Sequence, residues 1–142
     1  MIIKMIIDAT DLILGRMATV VAKKALLGET ISIINCEKAV VSGKRDVVLA
    51  KYIRFRAMGT HVKGPFWPRI PDRLVRRAIR GMLPHKLPKG KEAFKRIMCY
   101  KGVPPEFEGK KAETIKAANA SKIPNYRYLS VGEICKVLGA KI

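Results

Sequence analysis

Apolar and polar positions along the first part of the chain predict strands and helices in turn. Ile2 to Ile7 is apolar except for Lys4, as in a buried strand. A helix is predicted from Leu14, because apolar residues recur along one of its faces, and Gly28 is a plausible stop. The β-branched segment Ile31 to Asn35 predicts a second strand. The chain therefore begins strand, helix, strand.

The alternation continues beyond the second strand. Lys38 to Ser42 either extends that strand or forms another, and a helix is predicted from Lys44 to about Met58. Strands that alternate with helices of this length favour a parallel sheet with right-handed crossovers and helices on its faces. The predicted fold class is therefore α/β.

The rest of the chain is less regular. The further predicted elements are an ordered loop at Gly59 to Pro71, a helix at Pro71 to Leu83, a basic loop at Lys86 to Lys91, a helical segment at Glu92 to Arg96, a strand at Ile97 to Tyr100 and a final helix from Ser130 to Leu138. The polar, Lys-rich segment Glu106 to Asn125 could be extended and receives no assignment. Residues 1–142 are predicted to form a single domain.

Short polar side chains indicate how two helices begin. Asp8-Ala9-Thr10-Asp11 supplies oxygens suited to capping the first helix. Asp8 and Asp11 could in principle share a metal ion, but their position just before a helix favours capping. Ser130 followed by Glu133 resembles a capping box that opens the final helix.

Length and composition limit the class of protein. With 142 residues and 49% hydrophobic content, the chain can bury a core. It has no apolar run long enough to cross a membrane, and its start lacks the order of a signal peptide, so we expect a cytoplasmic protein without membrane contact. Cys36, Cys99 and Cys135 have no CxxC spacing and are predicted to be buried, reduced thiols.

Charge is the strongest indication of a partner. The chain carries a formal net charge of +18. The 58-residue window from Lys44 to Lys101 holds 17 Lys and Arg against 3 Asp and Glu, which is +14 of that total. Like charges at this density repel one another, so the window favours a polyanionic partner.

The predicted helix at Pro71 to Leu83 separates its residues by charge. Its apolar side includes Leu74 and Ile79, and its other side carries four arginines, Arg73, Arg76, Arg77 and Arg80. Guanidinium groups match phosphate oxygens in pairs and stay charged at physiological pH. An ordinary solvated face would mix acids with bases, whereas Asp72 is the only acid between Thr60 and Glu92, so nucleic-acid contact is favoured. Reversal of Arg76 and Arg77 to Glu is predicted to abolish RNA binding and to leave the fold intact.

The loop before this helix mixes cations with aromatic residues. Phe66 and Trp67 could stack on unpaired bases, which RNA offers more often than duplex DNA, or they could anchor the loop on the core. His61 and His85 are predicted to be polar contacts or packed side chains, since no Cys or carboxylate lies at metal-ligand spacing from them.

Signatures of enzymes are absent from the sequence. The first strand-helix junction is not GxGxxG, Gly43-Lys44-Arg45 lacks the P-loop frame, and GxSxG and HExxH do not occur. We therefore predict no catalytic residue, cofactor, metal or small-molecule substrate. Two alternatives stay open: a nuclease, whose carboxylates Asp46, Asp72 and Glu92 folding would have to gather, and a DNA-binding module, for which no helix-turn-helix spacing is visible.

Five short motifs together resemble one family of ribosomal proteins. They are Leu14-Gly15-Arg16, Val41-Ser42-Gly43-Lys44, Pro71-Asp72-Arg73, Arg80-Gly81-Met82-Leu83-Pro84-His85-Lys86 and Tyr100-Lys101-Gly102-Val103-Pro104-Pro105. With these motifs the chain closely resembles ribosomal protein thirteen of the large subunit over nearly its whole length. The RGMLP core is the most specific of them. The His-Lys pair after it and the GxPP-type turn resemble the archaeal and eukaryotic branch, and the missing basic C-terminal extension favours the archaeal form.

The resemblance implies a fold, a partner and a set of contact residues. The fold is a three-layer α/β/α domain around a small parallel sheet of about four strands. The partners are large-subunit (23S-type) ribosomal RNA and neighbouring large-subunit ribosomal proteins, and the role is that of a structural, early assembly protein of the cytoplasmic ribosome. The residues implied for RNA binding are Lys44, Arg45, Arg54, Arg56, His61, Lys63, Trp67, Arg69, Arg73, Arg76, Arg77, Arg80, His85, Lys86, Lys89 and Lys91.

Overall fold

The described part of the chain forms five strands and five α-helices, with short 3₁₀ helices between some of them. The computed structural model describes residues 4–123 and 127–141. The strands are β1 (Lys4–Asp8), β2 (Thr30–Ile34), β3 (Val40–Ser42), β4 (Ile97–Cys99) and β5 (Tyr128–Ser130). The helices are α1 (Leu14–Leu26), α2 (Arg45–Ala57), α3 (Pro71–Arg80), α4 (Pro88–Lys95) and α5 (Val131–Val137). Ile2 and Ile3 of the predicted first strand lie outside the described residues.

A parallel sheet lies at the centre of the core. Its strand order is β1-β2-β4, and both pairings are parallel. Ile7 aligns with Ile33, and Ile31 aligns with Ile97; all four side chains are fully buried. Helices α1, α3 and α4 pack against this sheet and one another. The predicted α/β class is confirmed, with three strands in the parallel sheet where about four were expected.

The chain turns out of this sheet after β2. Asn35 adopts a left-handed backbone conformation with φ of 56°, and the short 3₁₀ helix Cys36–Lys38 follows. β3 then pairs antiparallel with β5, with Val41 opposite Leu129. The segment predicted to extend or repeat the second strand therefore forms a separate two-stranded ribbon, whose partner lies near the far end of the chain.

Helix α1 begins without the predicted aspartate cap. Ile13 occupies the N-cap position, and no side chain caps the helix. Leu12 and Ile13 are instead extended and bridge to the C-terminal segment and to β3, which moves the start of the helix away from Asp8 and Asp11. The capping prediction for these two aspartates was wrong for that reason.

The carboxylate of Asp8 stabilises the turn after β1 instead. It accepts hydrogen bonds from the Thr10 amide at 3.0 Å, from the Thr10 hydroxyl at 2.6 Å and from the Asn35 amide group at 3.1 Å. Burial alone would raise the pKa of Asp8, but these hydrogen bonds outweigh it and lower the pKa below its usual value. Within residues 4–123 and 127–141, no group of three or more His, Cys, Asp or Glu is placed to hold a metal ion.

Helix α4 begins earlier than predicted. It starts at Pro88, so Lys89 and Lys91 lie on a helix rather than in a basic loop. Gly90 allows this, because a Cβ at that position would collide with the carbonyl of Pro84. The bend between α3 and α4 thus depends on a glycine that the charge pattern did not single out.

The C-terminal part closes the fold. Ser130 Oγ accepts a hydrogen bond from the Glu133 amide at 3.2 Å, which confirms the predicted cap of the last helix. The unassigned segment forms short 3₁₀ helices, and Glu113 bridges to β1; Pro124 and Asn125 lie outside the described residues. The three cysteines are free and buried, as predicted. No helix in the described ranges is both long and apolar enough to span a membrane.

Candidate nucleic-acid interface

Helix α3 holds its arginines at the surface because its other side is buried. Pro71 opens the helix, and Leu74, Val75 and Ile79 are almost completely buried in the core. This leaves Arg73 exposed and Arg77 and Arg80 partly exposed. The four arginines of the helix line a shallow hollow of about 290 Å³ together with Pro68 and Phe94. The prediction that the four arginines share one side of the helix is confirmed.

Arg76 differs from the other three because it is bonded within the fold. Its Nε donates to the carbonyl of Ile97 at 3.0 Å, and its Nη2 donates to the carbonyl of Phe94 at 3.1 Å. Its guanidinium also lies 3.9 Å from the centre of the Phe94 ring. Arg76 therefore connects α3 to the end of α4 and to β4. Reversing Arg76 with Arg77 would break these contacts, so the double reversal is not a clean test of RNA binding.

Arg77 faces an aromatic cluster. Its guanidinium lies 5.2 Å from the centre of the Trp67 ring, within the range of a cation–π contact. Burial lowers the pKa of Arg77, and the neighbouring charge of Arg80 lowers it further. Arginine remains charged near neutral pH despite such a shift. Because the positive charges of Arg77 and Arg80 repel each other, an anion bound near both would be favourable.

Trp67 anchors the loop that precedes α3. Its ring packs against Phe55 with centroids 4.7 Å apart and against Tyr52 at 6.2 Å. It is partly buried against the core, whereas Phe66 beside it is 66% exposed. The anchoring alternative therefore describes Trp67, and Phe66 is the aromatic side chain available to a partner. The sequence could not separate these adjacent residues because exposure depends on the packing of the loop.

The same loop is ordered by two glycines. A Cβ on Gly59 would clash with the backbone of Gly64, and a Cβ on Gly64 would clash with the backbone of Gly59, because the two glycines lie against each other. The Gly64 amide donates to the carbonyl of Thr60 at 2.9 Å. This turn leaves His61 and Lys63 exposed. A second hollow of about 390 Å³, lined by residues 66–70 and Arg73, places Arg69 beside the first hollow.

The remaining candidates lie on α2 and on the segment around α4. Arg54 is exposed and Arg56 partly exposed on α2, and Lys86, Lys89 and Lys91 are exposed. His85 is partly buried after α3. These positions come before the loop and after α3 in the chain.

Lys44 and Arg45 lie at a separate hollow. This depression of about 410 Å³ is lined by residues 43–45 with Arg127 and Tyr128. Arg127 was missed by sequence reasoning because it lies beside the unassigned C-terminal segment. Arg45 Nη1 also approaches the Glu133 carboxylate at 3.3 Å, an exposed pair of small energetic weight.

Few of these cations have an internal counter-charge. The described residues form two salt bridges, Arg45–Glu133 and Arg96–Glu92. Of the thirteen lysines and arginines among the candidate residues, only Arg45 takes part in either. We refer to these cations other than Arg76 as the basic surface. They are Lys44, Arg45, Arg54, Arg56, Lys63, Arg69, Arg73, Arg77, Arg80, Lys86, Lys89 and Lys91.

A protein-family model matches most of the chain. The family model described as Ribosomal protein L13 matches residues 3–106, which include every candidate residue. The chain belongs to the ribosomal protein L13 family. As a member of this family, it is a structural, non-enzyme component of the cytoplasmic ribosome.

Curated relatives agree with the L13 assignment. The large ribosomal subunit protein uL13 of Methanococcoides burtonii is 40% identical over 136 residues, covering 96% of this chain and 98% of that protein. The proteins of the same name from Methanosarcina barkeri and Methanopyrus kandleri are each 43% identical. They cover 96% and 94% of this chain, and 98% and 86% of their own lengths. These relatives are archaeal, which confirms the expected archaeal type of L13.

Proposed function

We propose that this chain binds large-subunit ribosomal RNA through the basic surface and thereby supports assembly of the subunit. One observation carries the proposal: among the described residues, the twelve cations of the basic surface have a single salt bridge, from Arg45 to Glu133. Cations without internal partners require anions from elsewhere. The relatives are named large ribosomal subunit protein uL13, and this name favours the RNA of that subunit as the source of anions.

The proposed mechanism is structural rather than chemical. Lysines and arginines neutralise phosphates and release condensed counterions, so RNA helices that repel one another can pack together. Arg73, Arg77 and Arg80 supply planar donor groups for phosphate oxygens. Phe66 adds an exposed ring on which an unpaired base can stack.

Residues 1–142 act as one RNA-binding domain. The core supports this reading, because α1, α3 and α5 bury side chains in the same cluster as β1, β2 and β4. The basic surface lies on the middle of the chain and would face RNA, whereas the remaining surface is left for neighbouring large-subunit proteins. The His61 and His85 side chains complete the proposed RNA-binding set, and Trp67 contributes to it by anchoring the loop that presents Phe66.

Binding to isolated large subunits tests the proposal. The native protein should cosediment with large subunits and be released only at high salt. A purified chain should prefer a large-subunit RNA transcript to duplex DNA of equal length in competition. Equal competition by duplex DNA would contradict the proposal.

A pair of variants with equal loss of charge sharpens this test. Arg73→Met with Arg77→Met removes two cations of the basic surface, and Lys110→Met with Lys136→Met removes two exposed cations elsewhere. The first pair should lose most RNA affinity, and the second should lose little. Equal losses would mean that net charge alone drives binding.

A further inference from the structure

A groove outside the basic surface runs along helix α1. It consists of two adjoining hollows of about 640 and 460 Å³, and Thr19 and Met82 belong to the lining of both. Because α1 spans Leu14–Leu26 and rises 1.5 Å per residue, the groove follows about 20 Å of helix. We call it the α1 groove. None of its lining residues is among the sixteen candidates for RNA binding.

One end of the α1 groove exposes large apolar side chains. Leu26 is 44% exposed, Leu27 is 73% exposed and Met82 is 43% exposed, and all three line the same hollow. The exposed parts of these side chains contribute nothing to the core. Single exposed apolar side chains are ordinary, whereas a group of them around one hollow is typical of an interaction site.

The rest of the α1 side of the groove is made of small residues. Gly15, Thr19 and Ala22 recur at spacings of four and three residues, and all of them line the groove. A Cβ on Gly15 would meet nothing within 4 Å, so the groove is open at that point. Small side chains let two helices pack with their axes close together. The shape of the groove therefore suits a helix that lies alongside α1.

The charged residues of the α1 groove are all basic. Arg16, Lys23 and Lys51 contribute to its lining, and no acid does. Neither of the two salt bridges formed by the described residues involves any of these three. Helix α1 itself contains no acid. A partner therefore complements the groove if it carries carboxylates beside its apolar side chains.

This combination of apolar surface and positive charge discriminates between occupants. A second copy of the chain is disfavoured, because each copy carries a formal net charge of +18 and the two would repel each other. RNA would pair with the cations, but nucleic-acid interfaces are more polar than protein interfaces, and RNA would leave Leu26 and Leu27 poorly covered. A protein helix with apolar and acidic side chains covers the leucines and pairs with the cations.

We propose that the α1 groove binds an acidic amphipathic helix of a neighbouring protein in the large ribosomal subunit. The apolar side chains of that helix cover Leu26, Leu27 and Met82, and its carboxylates pair with the three cations of the groove. The inference rests on the proposed function only in placing the chain in the large subunit. It does not depend on RNA contact by the basic surface.

Photo-crosslinking within large subunits tests this assignment. Subunits are assembled with a chain that carries the photoreactive residue p-benzoylphenylalanine in place of Leu27. In the control it replaces Val103, which is equally apolar, is exposed and lies outside the groove. We expect position 27 to attach to a peptide of a large-subunit protein, with apolar residues at helical spacing and acids between them, as identified by mass spectrometry. Position 103 should not attach to that peptide.

A matched pair of variants measures the contribution of the groove to assembly. Leu27→Glu removes an apolar contact and places a negative charge against the acidic partner, so in competition with the unaltered chain its incorporation into subunits should fall by about tenfold or more. Val103→Glu makes the same change of charge outside the groove and should compete almost equally. The two variants should bind a large-subunit RNA transcript with equal affinity, because each lowers the net charge by one.

A charge swap tests the pairing of lysine with carboxylate. Lys23→Glu should lower incorporation about three- to tenfold, and replacing a facing acid of the cross-linked helix with Lys should restore it. Lys23 lies in the last turn of α1, where an acid also weakens the helix. A change in the partner cannot repair that weakness, so restoration would report the contact itself.

Several results would overturn the assignment of a protein helix to the α1 groove. Attachment of position 27 to RNA, to a second copy of the chain or to nothing would do so, and so would attachment to a protein segment without acids. Equal incorporation of Leu27→Glu and Val103→Glu, or no restoration by the charge swap, would also contradict it. Failure of the proposed RNA binding would be seen separately, as equal competition by duplex DNA for the unaltered chain.

Discussion

Arg76 and Arg77 are adjacent, yet the structure predicts opposite consequences when each is replaced by methionine. Methionine keeps an unbranched apolar side chain and removes the guanidinium. Arg76→Met should destabilise the fold, because Arg76 holds the end of α4 and the start of β4. Arg77→Met should leave most of the stability and weaken RNA binding.

The magnitude follows from the contacts that each arginine makes. Arg76 loses two hydrogen bonds from a charged donor, each of about 1.5–3 kcal/mol at most, and a close contact with the Phe94 ring. Because the side chain is only partly buried, we expect a loss of about 2–4 kcal/mol in total, which for a chain of this length is a fall of about 7–13 °C in the thermal midpoint. Arg77 loses the Trp67 contact alone, about 0.5–1 kcal/mol.

Thermal unfolding by circular dichroism and RNA affinity by filter binding measure the two effects. Affinity must be measured at a temperature at which both variants are folded. We expect Arg76→Met to bind RNA more tightly than Arg77→Met once it is folded. Equal thermal midpoints for the two variants would refute the structural role given to Arg76.

Three further predictions concern the fold. The pKa of Asp8 is lowered in the folded state, so its carboxylate stabilises the fold fully above the unfolded pKa of about 3.9, and this stabilisation is lost as pH falls through the folded pKa. Asp8→Asn should therefore lower the free energy of unfolding, measured by chemical denaturation, at neutral pH but not in acid. A loss of equal size at both pH values would contradict this. Gly90→Ala should cost about 1–3 kcal/mol in the same assay, since its Cβ meets the Pro84 carbonyl, and an unchanged free energy of unfolding would be the contrary result. Ser130→Ala removes the hydrogen bond from the Glu133 amide and should cost about 1 kcal/mol, whereas Ser130→Thr should restore most of it; a neutral alanine variant would show that the cap is dispensable.

Local patterns predicted much of the fold. The central strands and helices α1 to α3 were placed correctly, because the apolar residues of the segments around Ile7, Ile33 and Leu74 recur with the period of their element. The pairing of β3 with β5 was not predicted, since it depends on a contact between distant segments. The start of α4 was misplaced because only the packing of Gly90 on Pro84 makes that turn possible.

The candidate interface was predictable by charge but not by the role of each residue. Acids are scarce between Thr60 and Glu92, and this marked the region as a whole. Sequence could not show that Arg76 bonds to backbone carbonyls, or that Trp67 turns inward while Phe66 turns outward. Those differences arise from tertiary packing. Two adjacent arginines, or two adjacent aromatic residues, look alike in the sequence although they have different surroundings in the fold.

The salt dependence of RNA affinity tests the central claim most directly. If the basic surface contacts about 6–10 phosphates, affinity for a large-subunit RNA transcript should fall by roughly 10³–10⁵ between 50 and 200 mM monovalent salt. Replacing Arg73 and Arg77 with methionine should make that dependence less steep by about two phosphate contacts. An affinity that stays constant across this range would contradict the claim that unpaired cations of the basic surface bind the RNA backbone.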